Sequence, residues 1–132
     1  MKNRKIIFSI FCIAAFISIS MAFPSFQDRN LKVLPGDISN EKLDSIMRAY
    51  TVALGVQCNF CHSKKENSTD ALDFASDTEP MKNNARGMMR MVININSNYF
   101  YFDKNIKVEY LNVINCKTCH RGEPIPPIPP GQ

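Results

Sequence analysis

Two copies of one five-residue pattern constrain this chain more than anything else in it: Cys58-Asn59-Phe60-Cys61-His62 and Cys116-Lys117-Thr118-Cys119-His120. Each has the spacing of a c-type haem attachment site, where two thiols bond the porphyrin vinyl groups and the adjacent imidazole ligates the iron. Cysteines three positions apart lie on one helical turn, so both sulfurs can meet the same macrocycle edge, with the following histidine under the ring. The two patterns take both histidines of the chain and four of its five cysteines. This predicts two covalently attached haem c groups, with Cys58, Cys61, Cys116 and Cys119 as thioether anchors and His62 and His120 as proximal iron ligands.

Zinc and thiol redox chemistry are the competing uses of such cysteines. Ribbon-type zinc sites separate their Cys-x-x-Cys pairs by roughly 15 to 20 residues, whereas here residues 62 to 115 intervene. A thioredoxin-like site needs a βαβ pattern around one pair, and none is visible.

The N-terminus reads as an export signal. Lys2, Arg4 and Lys5 precede an apolar run from Ile6 to Ile19, and Ser20-Met21-Ala22 supplies the small residues of a cleavage site. The expected organisation is a signal peptide over 1–22 and one dihaem cytochrome c domain over 23–132 with a proline-rich C-terminal tail. The expected location is the periplasm, with membrane association if the N-terminal segment stays uncleaved. Cys12 falls in the discarded segment. Three of the 16 basic residues lie in residues 1–22 with no acidic one, so the remainder carries 13 basic against 12 acidic residues. Ionised haem propionates would take that below neutral, which argues against nucleic acid as a partner.

Hydrophobic periodicity predicts two helices. The first starts from an N-cap at Ser39 or Asn40, runs to about Leu54 and stops at Gly55, with Leu43, Ile46, Met47, Tyr50 and Leu54 on one face. The second starts at Pro80 and ends near Asn98, with Met81, Ala85, Met88, Val92, Ile95 and Tyr99 as a helical stripe. Residues 63 to 79 read as a solvated connection, residues 99 to 113 fit either an extended piece or a helix, and residues 124 to 130 hold five prolines. The outline is helix, connection, Cys-x-x-Cys-His, twice over, with a tight first connection and a long second one. The expected fold is mostly α, a small multihaem cytochrome c in which two helix-turn-CxxCH haem-binding units pack together, and it should depend on its cofactor.

With both histidines committed, methionine is the next usual sixth ligand in an electron carrier. Residues 23–132 contain Met47, Met81, Met88, Met89 and Met91. Met47 lies on the apolar face of the first helix; Met88 lies on the stripe of the second, beside Gly87, whose missing side chain would let a flat ring approach. These two are the expected distal metal ligands, with Met89 and Met91 as rivals to Met88 and core packing as the alternative role for any of them. Two six-coordinate irons leave no open position for a substrate, so the chain reads as an electron-transfer protein and not as an enzyme.

Most of the chain from about Leu43 to Pro126 resembles half of the photosynthetic reaction centre cytochrome c subunit. The resemblance is carried by Ala85-Arg86-Gly87-Met88-Met89-Arg90-Met91, by Ile95-Asn96, and by Ile114-Asn115-Cys116-Lys117-Thr118-Cys119-His120-Arg121-Gly122. It implies Met88 and Met47 as axial ligands, Met91 as the second, non-ligating methionine, and electron transfer as the function. The family pattern has four haems where this chain has two motifs. It also has a histidine shortly after the Ile-Asn pair, where this chain has Tyr99-Phe100-Tyr101-Phe102.

The implied partners are a redox protein donor and acceptor, with a membrane-associated electron-transfer complex as one setting. The first alternative is a haem enzyme or sensor with one open, peroxidase-like iron position. The second is a zinc-binding interaction module. Lys64, Lys65 and Arg121 beside the motifs read as solvated, with partner docking as their alternative role.

Overall fold

The computed structural model describes residues 29–128. The export segment, Cys12 and the last prolines lie outside the described residues. Three helices carry the fold: α1 (Asn40–Leu54), α2 (Pro80–Tyr99) and the short α3 (Cys116–His120). Between them lie 3-10 turns at Cys58–Phe60 and Val108–Tyr110 and a two-stranded antiparallel ladder, β1 (Ser63–Lys64) with β2 (Leu72–Asp73). Among the described residues no helix is long and apolar enough to cross a membrane.

The ends of α1 follow from its sequence. The Ser39 hydroxyl accepts a hydrogen bond from the Lys42 amide at 3.2 Å, which satisfies a donor the helix cannot. Gly55 ends the helix in the left-handed conformation at φ 64°. It is needed there for a second reason, because a Cβ at Gly55 would collide with the carbonyl oxygen of Gly122. The Gly122 amide in turn donates to Ala53 O at 2.9 Å. The C-terminus of α1 is therefore seated on the turn that follows α3, so the helix preceding the first motif packs against the second.

Helix α2 begins with Pro80 in its first turn, where the missing amide costs nothing. Its buried residues are Lys82, Arg86 and Asn96. Its apolar stripe is only partly enclosed: Ala85, Val92 and Ile95 are half-buried, whereas Met81, Met88 and Tyr99 are exposed. The enclosed face runs through 82, 86, 89, 93 and 96, one step round the helix. Polar groups win that face because each has a partner from elsewhere in the chain. Asn96, fully buried, donates to Leu111 O and Ile114 O and accepts from the Ile114 amide at 2.9 Å, tying α2 to the strand of chain that enters the second motif.

The connection over 63–79 is also more structured than its polar composition suggests. Besides the ladder, Asp73 accepts from the amides of Ala75 and Ser76, and Asp77 forms ion pairs with Lys32, Lys82 and Arg86. The apolar core is small: Leu34, Ile38 and Ala53 are its buried members among the described residues.

Candidate functional site

The first motif is a loose turn. Cys58–Phe60 form the 3-10 turn, and the His62 amide donates to Cys58 O at 3.1 Å. Cys58 is exposed and Cys61 half-buried, both as free thiols. Burial pushes the Cys61 thiol up, with Glu79 adding to the effect. The His62 ring stands edge-on to Phe74 with centroids 5.0 Å apart. Its Nδ1 is buried without a hydrogen-bond partner. Burial, and then the cations of Lys82 and Arg86, hold the imidazole below its usual pKa, with Asp73 opposing. A neutral imidazole is the form that ligates a metal. A crevice of about 490 Å³ lined by Thr51, Gln57, Cys58, Asn59 and Leu72 opens beside the outer thiol.

The second motif is a true helix with its own cap. Asn115 accepts from the Lys117 amide at 3.0 Å, and Thr118 Oγ1 accepts from the Asn115 amide at 3.1 Å, a reciprocal capping box. Cys116 is half-buried and Cys119 exposed, again as free thiols. Burial pushes the Cys116 thiol up. His120 Nδ1 lies 2.9 Å from Glu123 O. A carbonyl oxygen only accepts, so Nδ1 carries the proton and Nε2 keeps its lone pair for a metal. The chain then turns away through Arg121 at φ 55° and Gly122 at φ 99°.

The candidate distal ligands lie on both long helices. Met47 is half-buried on α1, on the face that carries Tyr50. Burial, with the neighbouring Cys116, pushes the Tyr50 phenol up to about 12. Met88 is 49% exposed on α2 beside Gly87, where a Cβ would meet nothing within 4 Å. Met89 is half-buried, and Met91 is exposed. Met81 accepts a weak hydrogen bond from Asn84.

These residues suit haem. The four motif thiols are unbridged, one imidazole is fixed in the ligating tautomer, and the other is held neutral. Apolar side chains that make no core of their own, Val52, Phe60, Phe74, Met81, Met88 and Met91 among them, stay exposed. Two flat macrocycles would give them a surface to cover. Among the described residues no three His, Cys, Asp or Glu side chains converge as a metal cage.

Sequence reading missed Asn96 as a tether and the Asp77, Lys82 and Arg86 cluster entirely. The 82, 86, 89, 93, 96 spacing carried the signal, but its polar members hid it in a search for apolar stripes.

A helical chain with two such motifs is by class a c-type cytochrome. The family model of the photosynthetic reaction centre cytochrome c subunit matches residues 20–128. Cytochrome c-554 of Chloroflexus aurantiacus is 34% identical over 96 residues, which cover 72% of this chain and 20% of that protein. The photosynthetic reaction center cytochrome c subunit of Roseobacter denitrificans is 33% identical over 99 residues, 74% of this chain and 24% of the relative. The chain belongs to the photosynthetic reaction centre cytochrome c subunit family, and it spans about a quarter or less of the length of these curated relatives. No solved structure matches it. Covalently bound haem c is the cofactor the family implies.

Proposed function

We propose that this chain is an exported, periplasmic dihaem cytochrome that passes single electrons between a donor and an acceptor protein. Haem supplies the couple between ferric and ferrous iron. The protein supplies the anchors Cys58, Cys61, Cys116 and Cys119, the proximal ligands His62 and His120, and the distal ligands Met47 and Met88. The observation that carries the reading is the presence of two separate sites, each with a complete thiol pair and an imidazole prepared to ligate. His120 is oriented by Glu123 O, and His62 is kept neutral by burial and nearby cations.

Closure of both irons by methionine makes the chain a carrier and not an enzyme, since a peroxidase-like site needs a vacant position and a distal acid-base group. Retained half-exposure of Met88 next to open space at Gly87 supports its role, because a ligand must reach a ring that lies beyond the helix surface. The relatives' names link them to photosynthetic electron transfer, and the partners proposed here are redox proteins of an electron-transfer complex.

Spectroelectrochemical titration of holoprotein made with a c-type maturation system, followed by carbon monoxide addition to the reduced form, tests the reading. Two reversible one-electron steps and no stoichiometric carbon monoxide adduct are expected. Ready binding at either iron would overturn the carrier assignment in favour of the open-site enzyme or sensor.

A further inference from the structure

We propose that the buried cations Lys82 and Arg86 raise the reduction potential of the haem held by His62, and so set it apart from the haem held by His120. The inference rests on the dihaem reading and extends it to what each site is built to do. Lys82 and Arg86 are 8% and 6% exposed on the enclosed face of α2. The Lys82 ammonium donates to Phe74 O at 2.9 Å and to Ser76 O, and the ring of that same Phe74 packs edge-on against His62. Arg86 donates to Asp77 Oδ1 at 2.7 Å, to Asn83 at 2.9 Å and to Asn30 O at 2.9 Å. Both charges are thus fixed in place, Lys82 on the backbone of the residue that braces the proximal imidazole.

The physical effect has a definite sign. A ferric site carries one more positive charge than a ferrous one, so a fixed cation nearby favours the ferrous form. Burial keeps water and salt from screening that cation. Acids are present on this side too. Asp73 engages the amides of Ala75 and Ser76, Asp77 bridges Lys32, Lys82 and Arg86, and Glu79 lies near Cys61. Asp77 is nevertheless the more exposed partner in its pairs with Lys82 and Arg86, so its charge is the better screened by solvent. At the other motif the neighbouring charges in sequence, Lys117, Arg121 and Glu123, are all exposed, where solvent screens them.

The test is redox titration of two-haem protein carrying Lys82→Met, Lys82→Arg or Asp77→Asn. Lys82→Met should shift one of the two midpoints downward by about tenfold in the ferric to ferrous equilibrium, about 59 mV for one electron. Asp77→Asn should move the same midpoint upward, and Lys82→Arg should leave it near the wild-type value. Opposite signs for the first two variants are the signature, because general loosening of the site would move both the same way. Midpoints that shift together or stay put in protein with two haems overturn the inference and leave the dihaem reading intact. If Lys82→Met does not accumulate, the sign of the Asp77→Asn shift decides alone. Wild-type protein that matures with fewer than two haems ends the underlying reading instead.

Discussion

The two Cys-x-x-Cys-His motifs are chemically alike and structurally unlike. The second is a capped helix whose histidine is oriented by a backbone carbonyl three residues on, so its geometry comes almost wholly from local sequence. The first is an open turn whose histidine packs edge-on against Phe74 with its Nδ1 unpartnered, in a field set by burial and by the α2 cations Lys82 and Arg86. The pattern therefore specifies the covalent chemistry, and the surroundings specify how firmly each imidazole is held and in what field. α1 binds the pair together, since its C-terminus rests on the turn after the second motif while the chain leaves it directly into the first.

The largest expected effect removes the distinction altogether. Replacing Cys58, Cys61, Cys116 and Cys119 by alanine should prevent covalent attachment at both proposed sites, and with a core of three buried apolar residues among those described the chain should lose cooperative unfolding by circular dichroism. A sharp transition in that variant would show a self-sufficient protein core.

Next in size is the joint between the units. Gly55→Ala sets a Cβ against Gly122 O and forces a non-glycine residue into φ 64°, at a cost of about 2 kcal/mol or more in denaturant unfolding. Asn96→Ala leaves Leu111 O, Ile114 O and the Ile114 amide without their buried partner and should cost about 1 to 3 kcal/mol. Its effect should fall on the second motif, seen as a changed spectrum or potential of one haem only.

A smaller loss, about 1 kcal/mol, is expected for Thr118→Val, which removes half of the capping box at the second motif. No such cap exists at the first motif, so Asn59→Val there should be close to neutral if the two turns differ as described.

The pH response completes the series. Lys32 and then Arg86 hold the Asp77 carboxyl well below its ordinary value of 3.8. A carboxylate depressed on folding contributes stability above its unfolded pKa and loses it as pH falls through that value toward the folded one. Stability should therefore decline below about pH 4, and Asp77→Asn should flatten that part of the profile. An unchanged acid limb in the variant would remove Asp77 from the account of the first site.

Much of this was legible in the sequence where the causes are local. Ser39, Gly55 and Pro80 mark helix boundaries through capping and backbone geometry, and the structure places them where those rules put them. The fit between motif spacing and a helical turn held at Cys116 to His120. What could not be read was which side of α2 faces inward. That depends on Asn30, 56 residues from Arg86, and on Leu111 and Ile114, partners no periodicity can reveal. Met81, Met88 and Tyr99 lie on the apolar stripe that periodicity picks out, yet the polar residues beside them are the ones enclosed. Residues 63 to 79 read as solvated, and 64 to 67 and 69 to 71 are exposed, but Asp73 and Asp77 find partners that composition does not reveal.

Intact mass of the purified, c-type-matured protein under denaturing conditions, with haem quantified per chain on the same sample, tests the central claim most directly. Two haems retained on each polypeptide after unfolding are expected. A polypeptide of unmodified mass, or pigment that separates from it on denaturation, would contradict two covalent haem sites.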